Sequence, residues 1–574
     1  MACSHGRTCV PAFAMTEQIS SIPDNSPYPR FSPAWLWLKP RLSTTELTLV
    51  IALFLLLFDN APFWRASLKV LHGISVENIG FVASLFIVLL LLFNLLLSLV
   101  CFKYIFKPLV VGLLVSASVA RYFMDAYGVM LDRTMVQNVM QTDYAETFEL
   151  LNLQMFFYLL SLGFIPSIFV LRAETQYKSF TGELRTKPVA AVLSLLVAAA
   201  LVFCFYQDYS SLARNNRYLR HLINPVSYLY SLGSYIHRSL GDDDTAVEPL
   251  GKDAVLTAAW KRNDKKNLVI LVLGETARQM NFSLNGYQRE TNPLTGARDV
   301  ISFKNFYSCG TATAVSVPCM FSHFDRSSYS DSRARRNEGL LDVLSHAGVG
   351  VLWRDNNSGC KGTCDRVKSE KMARLKVADL CNSTECHDEI LLHGLQQYID
   401  SLDGDALIVL HQKGSHGPAY YLRYPKAFEK FTPVCATNQL RECRREEIIN
   451  AYDNTILYTD YVLAKTIDFL KANSERFNTA MMYVSDHGES LGESNLYLHG
   501  LPYFIAPEEQ KRVPFMLWFS DGFEAGNGID TACLRRRADK DYSHDNIFHS
   551  VLGLMGVSTA VYDAGLDLFA GCRD

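Results

Sequence analysis

Residues 267–275 read NLVILVLGE, a run of apolar residues that ends in a carboxylate. Three later runs have the same character: VGVLWRDN (349–356), ALIVLHQKG (406–414) and TAMMYVSDHGES (479–490). Amphipathic stretches with helical spacing, such as residues 446–472, lie between them. Near-continuous apolar strands that alternate with helices are typical of a parallel sheet covered on both faces. We therefore predict an α/β domain with a largely parallel sheet over residues 265–574.

Each apolar run ends in polar residues, and some of these could bind a metal ion. The strand-end residues are Glu275, Asp355, Asn356, His411, Asp486 and His487. Ligands of parallel sheets bind beyond the carboxyl ends of the strands, so these side chains are expected to face one site. Glu275, Asp486 and His487 offer the oxygen and nitrogen atoms that suit zinc. Glu275 could instead cap a helix and His487 could be a turn residue, but their equivalent positions favour a metal site.

A candidate nucleophile lies in the segment YSCGTATAVSVPCMFS (307–322). Small and hydroxyl residues between Cys309 and Cys319 lead into a predicted helix. We place Thr311 near the N-terminus of that helix, where unpaired N–H groups and the helix dipole favour an alkoxide and a bound phosphate. A threonine hydroxyl needs a metal ion or a base to become nucleophilic. A purely structural N-cap role for Thr311 is the alternative.

The N-terminal part of the chain has a different composition, and the mean hydropathy of +0.06 averages the two parts. Apolar stretches near 20 residues long occur at about 44–64, 79–101, 106–127, 152–171 and 188–207. Each is long enough to cross the ~30 Å hydrocarbon core of a bilayer. We predict a cytoplasmic segment over residues 1–43, with either Met1 or Met15 as its start, and five transmembrane helices over 44–207. A further helix is predicted in the loop at about 128–148.

Basic residues indicate which side of the membrane each loop faces. They are concentrated in the second and fourth loops: Lys103, Lys107, Arg172, Lys178, Arg185 and Lys187. By the positive-inside rule these loops are cytoplasmic, so five crossings leave everything after about residue 208 on the outer side. Residues 208–264 hold a basic stretch followed by an acidic one, and we interpret them as an interfacial linker. A net charge of only −3 argues against a nucleic-acid partner.

Ten of the 14 cysteines fall in the part predicted to be exported. Eight are close neighbours in sequence and elimination pairs the last two, which predicts Cys309–Cys319, Cys360–Cys364, Cys381–Cys386, Cys435–Cys443 and Cys533–Cys572. A zinc–cysteine cluster is the alternative, but the spacings are not the paired CxxC of structural zinc sites.

Five motifs in one order along the chain closely resemble those of the lipid A phosphoethanolamine transferases, the family that includes the mobile colistin-resistance enzymes. They are GET (274–276), CGTATAVSVPC (309–319), RDNNSGCKGTC (354–364), KGSHGPAYY (413–421) and SDHGESLGESNLYLHG (485–500). The resemblance implies an enzyme of the bacterial inner membrane, with an alkaline-phosphatase and sulfatase-like catalytic domain in the periplasm. It also implies that Glu275, Thr311, Asp486 and His487 hold one zinc ion and that Thr311 becomes phosphorylated.

The substrate-binding residues of that family match Asn138, Thr142 and Glu146 near the membrane, and Ser358, Lys361, His416 and His499 in the catalytic domain. The first three are spaced by four and share one helical face, where a carboxylate could pair with the ethanolamine ammonium; a solvated face is the alternative. Lys361 and Ser358 suit a phosphate, unless the lysine is simply solvated in its loop. His416 and His499 could exchange protons as catalytic residues or bind a second zinc ion.

The activity that the resemblance implies is transfer of phosphoethanolamine from phosphatidylethanolamine to a phosphate of lipid A, with release of diacylglycerol. The added ammonium would mask a negative phosphate and give resistance to polymyxin and other cationic peptides. We expect a monomer in the bilayer. Inner-core sugars as the acceptor, phosphoglycerol transfer and a non-catalytic membrane sensor are the alternatives. A sulfatase is disfavoured because no Cys-x-Pro-x-Arg motif surrounds Thr311.

Overall fold

The computed structural model describes residues 39–141, 147, 150–177, 179–242, 247–258, 260, 264–382 and 385–573. Residues 1–38 of the predicted cytoplasmic segment, and the predicted site residues Thr142 and Glu146, lie outside this part. The chain has a helical N-terminal half and an α/β C-terminal half, which confirms the predicted fold class. The predicted domain boundaries stay predictions.

Four helices of the N-terminal half are long and apolar enough to cross a membrane: Ile79–Leu99, Phe106–Tyr127, Leu153–Arg172 and Arg185–Cys204, the last being part of the helix Phe180–Cys204. A fifth candidate span is bent by 61° between Thr44–Asp59 and Ala61–Val70. Its first piece begins with a capping box formed by Ser43 and Glu46. The bent pair lies at the first predicted span, so the described residues contain four of the five predicted spans, or all five if the bent pair is one span.

Shorter helices connect the apolar helices of the N-terminal half, called the membrane half below, to the α/β C-terminal half, called the catalytic half. The predicted loop helix begins at Arg133 and is described to Gln141, and the linker region contains Tyr206–Asn215, Arg217–Leu222 and Val226–Asp242. Asn224 is fully buried, and its backbone N–H donates to the side chain of Asn60 at 2.8 Å. Its amide Nδ2 donates to the carbonyl of Ala117 at 2.9 Å. The linker is therefore hydrogen-bonded directly to two of the apolar helical segments.

Seven strands form the central sheet of the C-terminal half. In chain order they are β1 (Lys266–Gly274), β2 (Ile301–Phe303), β3 (Gly350–Asp355), β4 (Lys368–Lys371), β5 (Ala406–His411), β6 (Phe477–Ser485) and β7 (Phe515–Phe519). Their order across the sheet is β2-β7-β6-β1-β5-β3-β4. Strand β7 runs antiparallel to both of its neighbours, and the other neighbouring pairs are parallel.

Both faces of the sheet are covered, as the apolar runs predict. In β1, Val269, Leu271 and Leu273 pack into one core, and Leu268, Ile270 and Val272 pack into the other. The long helix Arg445–Ala472 covers the second face, and helices that include Leu340–His346 and Ile547–Leu554 cover the first. A strand buried on both sides has no need of polar alternation, which explains its continuous apolar sequence.

The remaining elements of this half are short. The other helices of four or more residues in α-helical conformation are Pro293–Gly296, Thr313–Met320, Asp331–Arg335, Leu395–Asp400, Glu508–Lys511, Asp521–Asn527 and Thr531–Arg537. Small strand pairs join Ser490–Leu491 to Tyr497–Leu498, Asp541–Ser543 to Asn305–Tyr307 and Val557–Ser558 to Val255–Leu256. All five predicted disulfides are present, and Cys101 and Cys204 are free thiols.

Candidate active site

The carboxyl ends of β1 and β6 bring three ionisable residues together. Gly274 and Ser485 are paired in register, so Glu275 and Asp486 follow their strands side by side. Together with His487 they are fully buried, and one possible ligand atom from each lies within 4.8 Å of the others. The structure thus forms the three-residue cluster predicted from the sequence.

The hydrogen bonds of this cluster leave ligand atoms available for a cation. Oδ1 of Asp486 accepts from the backbone N–H groups of Thr276 and His487 at 3.0 and 2.7 Å, whereas the buried Oδ2 accepts no hydrogen bond among the described residues. Nδ1 of His487 lies 2.9 Å from the carbonyl of Gly488, so that nitrogen carries the proton. Nε2 faces Glu275 at 3.3 Å and Asp486 at 3.4 Å. Two carboxylates and one oriented imidazole fit a zinc ion.

The electrostatics of the cluster also favour a cation. Burial, reinforced by the negative charge of Glu275, raises the pKa of Asp486 to about 6. Burial opposes protonation of His487, but the charges of Asp486 and Glu275 outweigh it and raise the pKa of His487 to about 10. Two carboxylates in a site closed to water require a compensating positive charge, which a bound divalent ion supplies.

The two threonines of the CGTATAVSVPC segment make different contacts. Thr311 donates its hydroxyl to the carbonyl of Leu501 at 2.6 Å. The hydroxyl of Thr313 lies 3.1 Å from both carboxylate oxygens of Glu275 and 3.4 Å from Nε2 of His487. Thr313 therefore occupies the position that the sequence analysis gave to Thr311 as ligand and nucleophile.

The start of the following helix explains this difference of two residues. Ala312 is extended, with φ −156° and ψ 144°, and Thr313 is the first residue of the helix. The chain changes direction between the two threonines, so their side chains contact different residues. Both are hydroxyl residues in the same motif, and the sequence contained no signal that located the first helical residue.

A chain of hydrogen bonds behind the cluster holds Glu275 in place. Asn357 donates to Oε2 of Glu275 at 2.6 Å and lies 3.3 Å from Nε2 of His411. Nδ1 of His411 in turn lies 3.0 Å from Asp355. The strand-end residues His411 and Asp355 thus support the cluster from behind, whereas Asn356 donates elsewhere, to a backbone carbonyl and a buried carboxylate. Asn357 was not singled out from the sequence, although it lies within the RDNNSGCKGTC motif.

Gly414 allows a second backbone segment to approach Glu275 closely. A Cβ atom at this position would lie 2.5 Å from the carbonyl oxygen of Glu275, and φ is +55°. The N–H of Ser415 donates to that same carbonyl at 3.0 Å. Only glycine combines this conformation with this approach.

A small cavity lies next to the cluster, and we call it the catalytic cavity. It is lined by all of the predicted substrate-binding residues that the structure describes. Its volume is about 40 Å³. Its lining comprises Asn138, Gln141, Thr313, Ala314, Ser358, Lys361, His416 and His499. Lys361 donates through Nζ to the hydroxyl of Ser358 at 2.8 Å. Asn138 and Gln141 come from the loop helix, so both halves of the chain contribute to this cavity.

Two histidines of the catalytic cavity differ in environment. Burial lowers the pKa of His416 well below its ordinary value, so this imidazole is neutral near pH 7. The ring of His499 lies 5.6 Å from that of His416 and 4.2 Å from that of His487, measured between centroids. Nδ1 of His499 lies 2.9 Å from Oε2 of Glu489.

Glu489 is a buried residue that the sequence analysis missed. Its side chain is fully buried, and it also accepts a hydrogen bond from the hydroxyl of Tyr420 at 2.5 Å. The carboxylate fixes the Nδ1 proton of His499 and leaves Nε2 for proton exchange. The feature of the sequence that could have identified Glu489 is its position three residues after the predicted metal ligand Asp486.

The loop helix contacts the helix that begins with Thr313. Gln137 is 4% exposed, and its amide donates to the carbonyl of Ala314 and to a carboxylate oxygen of Asp331, both at 3.4 Å. The membrane half thereby contacts the residue next to the candidate nucleophile.

Comparisons with known proteins agree with this arrangement. A family described as phosphoethanolamine transferase EptA/EptB matches residues 89–240, and the sulfatase family matches residues 267–557. Phosphoethanolamine transferase EptA of Escherichia coli (strain K12) is 42% identical over 544 residues, covering 93% of this chain and 98% of the relative. Phosphatidylethanolamine transferase Mcr-1 of Escherichia coli is 38% identical over 538 residues, covering 91% and 97%.

One similar solved structure spans both halves. It is the integral membrane protein lipooligosaccharide phosphoethanolamine transferase A (EptA) from Neisseria meningitidis, with a TM-score of 0.89 and 36% identity. The match covers 93% of this chain and 100% of that protein. The packing of a helical half against an α/β half is therefore shared with a solved membrane protein.

Proposed function

This chain belongs to the phosphoethanolamine transferase family, and from that premise we propose that it transfers phosphoethanolamine from phosphatidylethanolamine to a phosphate of lipid A. The observation that carries the proposal is the position of the Thr313 hydroxyl against the buried cluster of Glu275, Asp486 and His487. A relative whose name describes transfer to lipooligosaccharide supports the acceptor class.

The residues that would hold the zinc ion are Glu275, Asp486 and His487, with Thr313 as the fourth donor. Bound there, zinc would supply the positive charge that lowers the pKa of the threonine hydroxyl and offsets charge on the transferring phosphoryl group. Thr313 replaces Thr311 in this proposal because the hydroxyl of Thr313 contacts the cluster, whereas that of Thr311 donates to the carbonyl of Leu501.

In the first half of the reaction, Oγ1 of Thr313 attacks the phosphorus of phosphatidylethanolamine and gives its proton to a carboxylate oxygen of Glu275, 3.1 Å away. A bond forms between Oγ1 and phosphorus, the bond between phosphorus and the glycerol oxygen breaks, and diacylglycerol leaves. The first N–H groups of the helix Thr313–Met320 and the ammonium of Lys361 bind the phosphoryl oxygens. His499, oriented by Glu489, gives a proton to the leaving oxygen. Thr313 then carries phosphoethanolamine as an ester.

In the second half, a phosphate oxygen of lipid A attacks the same phosphorus. The bond from phosphorus to Oγ1 breaks, and Thr313 regains its proton from Glu275. The hydroxyl of the attacking phosphate gives its proton to His499, which restores the site for the next cycle. Asn138, and Thr142 and Glu146 as predicted from the sequence, bind the ethanolamine end of the group; Asn138 lines the catalytic cavity in support of this role. The added ammonium lowers the negative charge of lipid A and so weakens the binding of polymyxin.

We place the protein in the bacterial inner membrane, as a monomer, with the catalytic half in the periplasm. The apolar helices support the membrane location. Five disulfides support an oxidising compartment for the catalytic half.

The nucleophile is tested by mass spectrometry of the covalent intermediate. Full-length protein is incubated with phosphatidylethanolamine alone, reduced and digested with trypsin, and fragment ions locate the adduct on the peptide of residues 305–326. We expect phosphoethanolamine on Thr313 and its loss in Thr313→Val. The matched variant Thr311→Val, in the same peptide, should keep the adduct. An adduct on Thr311, or one that persists in Thr313→Val, would contradict the assignment.

The acceptor is tested in cells. Lipid A isolated with and without expression of the protein should differ by one or more phosphoethanolamine groups, and expression of Thr313→Val should abolish the difference. A modified core sugar with unmodified lipid A, or a phosphoglycerol product, would show one of the alternative reactions instead.

A further inference from the structure

A second and larger cavity adjoins the catalytic cavity. Its volume is about 560 Å³, within the size range of small-molecule sites. Gln141, Ser358 and Lys361 line both cavities, so the two meet at these residues. We call it the large cavity. The catalytic cavity, at about 40 Å³, has room for a small group only.

The lining of the large cavity contains two arginines that the proposed mechanism does not use. Arg366 binds Asp342 through Nε and Nη2, both at 2.7 Å, which fixes the guanidinium in one orientation. Its Nη1 has no hydrogen-bond partner among the described residues. Arg335 contacts Asp331 through Nε at 3.2 Å, and within the described part of the chain its two terminal nitrogens have no partner either. Guanidinium groups with open donors suit phosphate oxygens and sugar hydroxyls.

Lys361 is held at the junction of the two cavities by an unusual backbone conformation. Its φ of +54° lies in the left-handed region, where long side chains are uncommon. Gly359 and Gly362 also have positive φ, and the disulfide Cys360–Cys364 closes the loop around them. The loop therefore presents the ammonium of Lys361 to a ligand in either cavity.

The surroundings of the large cavity indicate how a ligand reaches it. Gln141 comes from the loop helix between two candidate membrane spans, and Val247 comes from the linker. The cavity therefore lies where the membrane half, the linker and the catalytic half meet. A headgroup anchored in the bilayer arrives at that junction without leaving the membrane surface.

We propose that the large cavity is the acceptor subsite and that it binds the phosphorylated sugar headgroup of a glycolipid. Arg335 and Arg366 bind the sugar and its phosphate, and Lys361 holds the attacking phosphate at the edge of the catalytic cavity. This inference rests on the proposed function, because it assigns a place to the acceptor of the second half-reaction. The phosphoethanolamine headgroup of the donor lipid does not need a volume of about 560 Å³. A phosphorylated sugar fits both the volume and the polar lining of the large cavity.

The test separates the two half-reactions in full-length protein in lipid nanodiscs. Formation of the Thr313 adduct and release of diacylglycerol from phosphatidylethanolamine alone report the donor half. Transfer to added lipid A reports the acceptor half. In Arg335→Gln we expect an unchanged donor half and a KM for lipid A raised about tenfold, the effect of one charge-assisted hydrogen bond. Ala334→Trp, which fills the cavity without removing a charge, should impair the same half.

Arg333→Gln is the matched control. Arg333 belongs to the same short helix, but its guanidinium stacks on Phe324 at 3.9 Å and does not line the cavity. An unchanged KM for lipid A in both Arg335→Gln and Ala334→Trp overturns the proposal, and so does an equal loss of the donor half. Failure of the proposed function would be seen differently, because wild-type protein would then form no Thr313 adduct or leave lipid A unmodified.

Discussion

At the scale of single residues, the pair of Glu489 and His499 offers the sharpest test of how protons move in the site. Replacing Glu489 by Gln keeps its size but removes the carboxylate that contacts Nδ1 of His499 at 2.9 Å and orients the imidazole. We expect the rate of diacylglycerol release to fall on the order of 10²-fold, with zinc content unchanged, because general acid–base catalysis contributes effects of that size.

The measurement is a pH–rate profile of diacylglycerol release for wild type and Glu489→Gln. Glu508→Gln serves as the control, since Glu508 has a half-exposed side chain paired with Lys511. A rate and pH profile unchanged by Glu489→Gln would show that this pair has no part in proton transfer.

His544 links the stability of the catalytic half to pH. Nδ1 accepts from the N–H of Cys309 at 3.1 Å, and Nε2 donates to the carbonyl of Ser485 at 3.0 Å, so the ring is neutral. Burial lowers the pKa of His544 to about 3. The unfolded chain therefore binds a proton more tightly than the folded one. This contribution to stability is complete above about pH 6.5 and decreases as pH falls, by about 2 kcal/mol at pH 5.

This prediction is checked by thermal unfolding of detergent-solubilised protein between neutral and acidic pH. His544→Gln should be less stable at neutral pH but should lose less stability on acidification than wild type does. His237→Gln, at an exposed position, should follow the wild-type profile. Parallel profiles of wild type and His544→Gln would refute the assignment.

At the scale of elements, the disulfide Cys309–Cys319 closes the segment that carries Thr313 and its helix. The disulfide closes a loop with a sequence separation of 10. Its removal should lower the free energy of unfolding by about 3 kcal/mol, because the unfolded chain without the cross-link has a higher entropy. We expect the double substitution Cys309→Ser and Cys319→Ser to lower the unfolding temperature and to slow formation of the Thr313 adduct. Cys204→Ser removes an exposed free thiol and should change neither quantity. An unaltered unfolding temperature in the double variant would contradict this role.

The elements also show which parts of the fold and site the sequence determines. Strands β1 and β6 could be predicted because a strand buried on both faces is apolar throughout. The ends of these strands correctly predicted that Glu275, Asp486 and His487 lie close together. Thr313 was missed because helix boundaries depend on the backbone angles of one residue, here Ala312. Local sequence also holds no information on distant partners such as Gln137 and Ala314.

At the scale of the whole molecule, the catalytic cavity is shared between the two halves of the chain. Asn138 and Gln141 come from the loop helix, and the other lining residues come from the catalytic half. We expect a catalytic fragment of residues 248–574 to bind zinc like the full chain but to form the Thr313 adduct with a short-chain phosphatidylethanolamine far more slowly. The reduction should be at least about tenfold, the value of one lost substrate contact of about 1.4 kcal/mol.

The measurement compares zinc content and adduct formation in the fragment and in the full-length protein. Retained zinc shows that the site itself is intact, so a slower reaction reports the missing loop helix. Equal rates in fragment and full chain would mean that the membrane half contributes only anchoring.

The hydrogen bonds from Gln137 to Ala314 and Asp331 join the loop helix of the membrane half directly to the catalytic half and so hold the catalytic half close to the bilayer. A domain held at a fixed height meets its substrates by lateral diffusion within one leaflet. The turnover rate of the enzyme then depends on the mole fraction of each lipid substrate in that leaflet and does not depend on the bulk concentration of lipid in the sample. The lipid composition around the protein therefore determines how often each substrate reaches the active site.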